Sequence, residues 1–323
     1  MANNTLTAKT TSSEFNLNVN EEKKKSKVKS IAVKTITYIF LTIVAIFSFL
    51  PFYWMVISSL KTEKEYRASV PSFFPTFPID AKNNYTFLFE SAKTSDFPIT
   101  DALVNTLLVA VISTILGLII IIISDYAFAR LELKGKNFVF SLMMLTMMIP
   151  GELFTTTNFI TVGQLGWNGT YVVLIVPFLV SFYYIFLLRN AFKQIPDSLY
   201  QAAKVDGCSD LGYLIKVMVP LTAPTLTSVA LLKFIGIWNT YIWPRLVNKK
   251  DVSMQLISNW VMQGFADSKG FFKGVEGYMY GSGEPLGSAK MAAVCLVTLP
   301  LVILFICFRK YIMTGVSKSG TKG

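Results

Sequence analysis

The chain has 323 residues, of which 53% are hydrophobic and only 15% are charged, whereas about 25% of the residues of an ordinary soluble domain are charged. It contains no histidine, which excludes a His-based triad, a His-ligated metal and a His proton relay. The net charge of +11 would suggest nucleic-acid binding in a soluble protein. In a membrane protein its usual source is basic cytoplasmic loops, so no nucleic-acid partner is expected.

The N-terminal segment, residues 1–34, is polar and carries a lysine cluster. It cannot bury enough apolar surface to fold, so we predict a disordered basic tail. A cleavable signal peptide is the alternative. The apolar run that follows is longer than the about 7–15 residues of a signal-peptide core and lacks a small-residue cleavage site, so it is predicted to be a retained membrane span.

Apolar runs predict six membrane-spanning helices. A helix needs about 20 mostly apolar residues to cross a bilayer, and the stretches 35–60, 102–124 and 153–188 contain no charged residue. The third predicted span is interrupted near its end by Pro150 and Gly151. The chain is therefore predicted to be an all-α, polytopic membrane protein with spans at about residues 35–58, 103–126, 137–160, 170–188, 218–241 and 291–309.

An even number of spans places both termini on one side of the membrane. The N-terminal lysines and the higher density of Lys and Arg in the loops of that side predict that it is cytoplasmic. The tail at 316–323 is then cytoplasmic, and two long loops lie outside. The first, 61–101, is rich in proline and aromatic residues and is predicted to form an ordered cap. The second, 244–290, contains a glycine-rich run; long loops of this kind are either functional or disordered.

The inner loop between the fourth and fifth spans, residues 189–217, contains residues that are typical of the start and the end of a helix. Pro196 marks a start, Ser198 and Gln201 have the spacing of a capping box, and Gly207 suits the positive φ of a sharp turn after a helix. A second helical stretch, 208–217, leads into the fifth span. We predict two short helices across the inner membrane face, with an ordinary amphipathic linker helix as the alternative.

The spacing in this loop resembles the cytoplasmic signature of binding-protein-dependent ABC importer permeases: Glu-Ala-Ala, three residues, Gly, nine residues, Ile-x-Leu-Pro. Here the corresponding residues are Gln201-Ala202-Ala203, Gly207 and Val217-Met218-Val219-Pro220. Val keeps the aliphatic character, but Gln201 removes a charge. The resemblance extends over about residues 36–315, and its motifs are most similar to the carbohydrate subgroup, in particular the smaller six-span permease of maltose-type and multiple-sugar importers.

The resemblance implies a 35–315 permease domain in a bacterial or archaeal-type cell membrane that takes up a sugar or oligosaccharide and performs no chemistry. A second, different permease subunit would complete the pathway, two ATP-binding subunits would hydrolyse ATP, and an extracellular solute-binding protein would deliver the sugar and contact the 244–290 loop. No cofactor is expected on this chain, which has no Gly-x-x-x-x-Gly-Lys-Ser/Thr motif. The implied ATPase-coupling residues are Gln201, Ala202, Ala203, Asp206, Gly207 and Pro220, and for Asp206 helix capping is an equal alternative.

Three residues of the fifth span are candidates for the substrate pathway: Lys233, Trp238 and Asn239. Aromatic faces and polar groups hold sugars, and a charge within the membrane normally faces a cavity or a partner. The alternatives are an interfacial anchor for Trp238 and a helix-end polar group for Asn239. Lys233 would instead snorkel or pair with a carboxylate of the partner permease.

Two other functions remain open. One is an ABC permease for a different small solute. The other is an ion-coupled secondary transporter, which commonly has mid-membrane carboxylates and internal repeats. Here Asp101, Asp125 and Glu152 lie at the ends of predicted spans. We expect Asp125 to pair with Arg130 or an interface, and Glu152 to line the outer mouth or cap the broken helix.

Overall fold

The computed structural model describes residues 3–77, 79, 84–89, 99–248, 252–264, 279–280 and 284–320. Among them the only paired strands are β1 (Met279–Tyr280) and β2 (Glu284–Pro285), which run antiparallel. All other regular structure in these ranges is helical. The chain divides into two compact units, Met1–Ile57 and Ser58–Gly323.

The helices, numbered in chain order, are as follows: α1 Asn3–Ser59, α2 Glu63–Tyr66, α3 84–89, α4 Ile99–Ala129, α5 Lys136–Thr146, α6 Thr155–Gln164, α7 Tyr171–Ile175, α8 Phe182–Lys193, α9 Asp197–Val205, α10 Asp210–Tyr213, α11 Val219–Leu221, α12 Ala223–Trp238, α13 Ile242–Val247, α14 Ile257–Gly264 and α15 Gly287–Gly320. Short 3-10 segments lie at Gly151–Phe154, Val176–Phe178 and Val252–Met254, and a π-helical segment at Leu214–Met218.

The first unit is formed by α1 up to Ile57, and the Ser30–Ser59 section of this helix is long and apolar enough to cross a membrane. Two of its polar side chains are satisfied within the helix: Thr37 and Thr42 each donate their hydroxyl to the carbonyl four residues earlier, at 2.8 Å. Such internal pairing is what a hydrocarbon environment demands. The helix also includes residues 3–34, for which composition predicted a disordered tail. Glu and Lys are good helix formers, so this polar stretch can continue the helix of the span.

Two further helices of the second unit, Ile99–Ala129 and Gly287–Tyr311, could each cross a membrane alone. Three pairs of shorter helices pass the same test only together and are bent at a short break. These pairs are Lys136–Thr146 with Gly151–Gln164 at 88°, Tyr171–Phe178 with Phe182–Lys193 at 46°, and Asp210–Leu221 with Ala223–Trp238 at 82°. Counting each pair as one span gives up to six spans, at the positions that the apolar runs predict.

The core of the second unit is organised around α4, which packs against α8 and α12, while α12 also packs against α15. The buried face of α4 repeats every three or four residues and is mostly small: Ala102, Thr106, Ala110, Ser113, Gly117, Ile121 and Asp125. Small residues let helix backbones approach closely inside a membrane, where apolar burial alone does not drive packing. The central helix is thus recessed between its neighbours.

Candidate functional site

The coupling-loop helix α9 ends as its sequence predicts. Gly207 adopts a φ of 72°, its N–H donates to the Lys204 carbonyl at 3.1 Å, and the Cys208 N–H donates to the Ala203 carbonyl at 2.8 Å. These two bonds form a Schellman motif, in which the left-handed residue is normally glycine because a Cβ there is strained. The turn after α9 therefore depends on Gly207.

The predicted capping box at the start of α9 is wrong. The helix begins at Asp197 with Pro196 as its N-cap, no side chain caps it, and Ser198 already lies inside it. The extended Pro196 ends the preceding segment, and an acidic residue in the first turn suits the positive end of the helix dipole. The Asp197 carboxylate forms an ion pair with Arg130, at the end of α4.

The two faces of α9 differ in character. Tyr200 and Ala203 pack against a buried cluster beneath the helix. Gln201, Ala202 and Val205 are exposed, Val205 by 88%. The candidates Asp206 and Gly207 are exposed just beyond the helix end. The structure thus brings five of the six predicted coupling residues together on one short segment, with small and apolar groups outermost.

Pro220, the sixth coupling residue, lies apart from α9 along the chain. It is exposed in α11, at the 82° break that precedes α12. Proline has no N–H to donate and disfavours a continuous helix, so this position suits a bend.

A hydrogen-bond network ties α9 to the inner end of α4. One carboxylate oxygen of Asp210 accepts from the hydroxyls of Tyr126 at 2.9 Å and Tyr200 at 3.0 Å, and Lys204 lies 2.9 Å from the same oxygen. The hydrogen bond to Asp210 raises the pKa of Lys204. Asp210 thus joins α4, α9 and α10 through one carboxylate.

Arg130 makes the second tie between α4 and this loop. Besides its ion pair with Asp197, it donates to the carbonyls of Phe192 at 3.2 Å and Ile195 at 2.5 Å. It does not pair with Asp125, which was one of the two expectations for that residue. Among the described residues, neither carboxylate oxygen of buried Asp125 has a hydrogen-bond partner, and its electrostatic neighbour is Arg189.

A cavity of about 710 Å³ opens where the helix breaks meet. Its lining combines aromatic, aliphatic and uncharged polar groups with one lysine. The principal contributors are Met147, Gly151, Phe154 and Asn158 near the α5–α6 break, Phe178, Ser181, Tyr183 and Tyr184 near the α7–α8 break, and Lys233, Gly236, Thr240 and Trp243 from α12 and α13.

Lys233 lies in this lining and is only 3% exposed. Its ammonium donates to the carbonyls of Phe178 at 2.7 Å and Leu179 at 3.2 Å, and it lies 5.8 Å from the centroid of the Tyr184 ring. Phe178 and Leu179 belong to the break that follows α7, where carbonyls lose their helical partners. Lys233 therefore satisfies the backbone of a broken helix inside the membrane.

Gly117 of α4 lies directly behind this lysine. A Cβ at residue 117 would stand 2.2 Å from Cε and 2.7 Å from Nζ of Lys233, and 2.9 Å from the Leu179 carbonyl oxygen. Only glycine leaves room for the lysine between α4 and the break. This contact could not be predicted from the sequence, because a glycine inside an apolar run carries no signal for its spatial neighbours.

The other two pathway candidates lie elsewhere. Trp238 is 2% exposed and stacks on Phe234 at 5.8 Å between ring centroids, within a hydrophobic cluster that includes Trp260. Asn239 is the exposed C-cap of α12. Neither lines the cavity.

Trp243 is the tryptophan that does line the cavity. It donates its indole N–H to the Val173 carbonyl at 2.9 Å, and its ring meets Phe178 edge to face at 5.5 Å. Its position near the end of the predicted fifth span gives no signal for this place in the lining, and Trp238 was the candidate there.

Broken apolar helices around a mixed aromatic and polar cavity, with an ordered helix exposed at one end, define a polytopic membrane transport protein. Residues 126–318 match the family described as binding-protein-dependent transport system inner membrane component. This is more than half of the chain, and the chain belongs to that family. It is therefore a multi-pass cell-membrane permease subunit of an ABC importer, a transport component and not an enzyme.

Relatives match over nearly their whole length. The polygalacturonan/rhamnogalacturonan transport system permease protein YtcP of Bacillus subtilis is 28% identical over 302 residues, which cover 88% of this chain and 96% of the relative. The trehalose/maltose transport system permease protein MalG of Thermococcus litoralis is 30% identical over 286 residues, with 87% and 94% covered.

A solved structure shares the fold. It is the crystal structure of a bacterial ABC transporter involved in the import of the acidic polysaccharide alginate, whose matching chain has a TM-score of 0.69 and 20% identity, with 86% of this chain and 95% of that chain covered.

Proposed function

We propose that this chain is the permease subunit of an ATP-driven importer for a sugar or oligosaccharide that an extracellular binding protein delivers. The family supplies the transport role, and relatives named for oligosaccharide and disaccharide transport favour this substrate class. The cavity fits such a substrate, because its lining offers aromatic rings such as Phe154 and Trp243 beside polar groups such as Asn158 and Thr240.

The proposed coupling surface is the exposed face of α9, which docks on an ATP-binding subunit. The observation that carries this proposal is a pair of ties between α9 and the end of α4: the hydrogen bonds of Tyr126 and Tyr200 to Asp210, and the ion pair of Arg130 with Asp197. Movement of α9 would displace α4, and Gly117 of α4 packs against the cavity lysine. ATP-driven closure beneath the membrane would thus reach the cavity as a rigid-body movement between two states.

The proposed topology has six spans with both termini in the cytoplasm. A second, different permease subunit completes the pathway, and two ATP-binding subunits lie beneath. Residues 61–101 and 244–290 are the outer loops, and most of the glycine-rich run of the second lies outside the described residues. Deleting 274–284 while membrane insertion is preserved is expected to impair uptake, because this loop is the proposed contact with the binding protein.

The described part of the outer region is held by buried polar contacts. The Glu63 carboxylate accepts from the Ser288 N–H at 2.9 Å, and the Asn84 amide donates to the carbonyls of Ser59 at 2.9 Å and Lys61 at 2.8 Å. These contacts connect the segment after α1 to the start of α15. They support an ordered outer cap, as the sequence of 61–101 predicts.

Affinity purification of the tagged chain from its native membrane in gentle detergent tests this function. A second permease and ATP-binding subunits are expected to copurify with ATPase activity. Gly207→Val is expected to abolish their recovery while the chain still inserts. Gly166→Val is the matched control, because Gly166 has nearly the same φ, 71°, in the turn after α6, on the proposed outer side.

Two results would contradict the proposal. The first is that the chain purifies alone, stably and without ATPase activity. The second is that the two glycine variants reduce the recovery of the partner subunits equally. Sensitivity of uptake to uncouplers, and not to ATP depletion, would favour the ion-coupled carrier.

A further inference from the structure

The charge of the cavity carries information about the substrate. Lys233 is the one charged side chain among the described residues that line it. Building on the proposed sugar-transport function, we infer that the cavity receives an acidic saccharide, with the Lys233 ammonium binding the carboxylate of a uronic acid unit.

Lys233 has no counter-charge among the described residues. A buried ammonium is costly in a membrane and is normally paired with an opposite charge. Among the residues that the structure describes, no acidic side chain forms an ion pair with Lys233. Its partners are the neutral carbonyls of Phe178 and Leu179. These carbonyls satisfy N–H donors but leave the positive charge uncompensated.

The Lys233 ammonium has one more N–H donor than its two carbonyl partners use. An ammonium has three N–H donors, and two of them are directed to the carbonyls of Phe178 and Leu179. The third can serve an acceptor in the cavity that Lys233 lines. A carboxylate there would supply both the acceptor and the missing negative charge, in the short, strong kind of hydrogen bond formed between ions.

The carbonyls at the helix break do not require a cation as their hydrogen-bond donor. Neutral donors such as hydroxyl groups or water can satisfy carbonyls freed at a break in a membrane helix, without the cost of a buried charge. The space reserved by Gly117 and the Tyr184 ring 5.8 Å from Nζ instead hold an ammonium at the cavity wall. The aromatic rings of Tyr183, Phe154 and Trp243 in the same lining can contact the faces of the sugar ring.

The test uses the complete importer with its native partner subunits in detergent, with the binding protein omitted so that only the membrane site is measured. The probes are trisaccharides of galacturonate, mannuronate and guluronate, and their neutral counterparts with reduced carboxyl groups. Binding is followed by calorimetry. The wild-type importer is expected to bind at least one acidic probe more tightly than its neutral counterpart.

Lys233→Gln removes the charge and keeps a polar side chain with N–H donors, one bond shorter than that of lysine. It is expected to weaken binding of the acidic probe about 10- to 100-fold, the usual effect of losing a hydrogen bond between charged groups, with binding of the neutral probe unchanged. Lys233→Arg is expected to keep the acidic preference. Lys134→Gln, at an exposed loop lysine, is the control for a change in net charge.

Four results would overturn the inference. The first is a wild-type importer that does not prefer the acidic probe, and the second is a Lys233→Gln importer whose binding of both probes is weakened equally. The third is a Lys233→Gln importer that binds both probes as the wild type does. The fourth is that no saccharide binds. Equal weakening would assign Lys233 to the helix break alone. A neutral saccharide bound without acidic preference would leave the sugar-permease function standing, whereas binding of no saccharide would also count against that function.

Discussion

Replacing Gly117 with alanine would test the packing behind the cavity. The added Cβ would lie 2.2 Å from Cε of Lys233 and 2.9 Å from the Leu179 carbonyl oxygen. The lysine can move away, but it then loses its bonds to the Phe178 and Leu179 carbonyls. The carbonyl belongs to the backbone and cannot yield without moving the break between α7 and α8.

The expected cost has two sources. Overpacking a dense interior costs about 1–3 kcal/mol, and a lost hydrogen bond to a charged group costs about 1.5–3 kcal/mol. The lysine can relieve the overpacking only by moving away, and it then loses the hydrogen bonds. The two costs are therefore alternatives in part, and their sum overestimates the total. We expect Gly117→Ala to destabilise the protein by about 3 kcal/mol.

Gly236→Ala is the matched control. Gly236 lines the same cavity from α12, and an added Cβ would lie 3.8 Å from the Tyr184 hydroxyl, an ordinary contact distance. Alanine is also the better helix former by about 1 kcal/mol. Thermal unfolding of the purified importer in detergent is therefore expected to show a large loss for Gly117→Ala and none for Gly236→Ala.

A double-mutant cycle with Lys233→Ala isolates the contact with the lysine. Without the lysine, Gly117→Ala is expected to lose most of its cost, leaving the contact with the Leu179 carbonyl. The packing argument is refuted if both glycine variants unfold at the wild-type temperature, or if Gly117→Ala costs the same with and without Lys233.

Three further outcomes follow from other contacts. Arg130→Gln removes the ion pair with Asp197 and the positive charge beside the Phe192 and Ile195 carbonyls. The number of substrate molecules taken up per ATP hydrolysed is expected to fall in reconstituted vesicles. An unchanged ratio would exclude Arg130 from coupling. Arg189→Met removes a buried guanidinium that lies 3.9 Å from the centroid of the Phe140 ring and donates to the Asn137 amide oxygen at 3.4 Å. It is expected to destabilise the protein by about 2 kcal/mol in thermal unfolding, and an unchanged unfolding temperature would show that these contacts do not stabilise it. Burial raises the pKa of Glu65, but hydrogen bonds from Ser72 and Thr76 outweigh it and hold that pKa below 4.5. Because a lowered pKa stabilises the folded state above the unfolded value, this contribution is lost as the pH falls from 4.5 through the folded pKa. The Thr76 amide, whose N–H donates to Glu65 at 3.1 Å, is expected to lose protection from hydrogen exchange over this range in the wild type and not in Glu65→Gln, and equal behaviour of the two proteins would contradict this.

Sequence reasoning was most successful where the signal is local. The interruption at Pro150 and the left-handed turn at Gly207 follow from backbone rules for single residues, and the structure has a break and a positive φ at those places. The break after Phe178 was not predicted, although Pro177 precedes it. The positions of the apolar spans were also predictable, because hydrocarbon thickness sets their length.

The site was harder to predict because it depends on which helix faces are opposed. Trp238 shares a face with Phe234, four residues earlier, and that face is turned into the core, while Lys233 lines the cavity. Sequence periodicity defines faces but not their neighbours. The same limit explains Arg130, whose partners lie more than sixty residues away in the chain.

The outward face of α9 has a consequence for how the importer holds together. On the proposed docking, Ala202, Val205 and Gln201 meet the ATP-binding subunit beside the charged Lys204 and Asp206, which are exposed on the same segment. The contacts of Ala202 and Val205 are stabilised by releasing water from apolar surface, a force that weakens on cooling. The assembled transporter should therefore loosen in the cold.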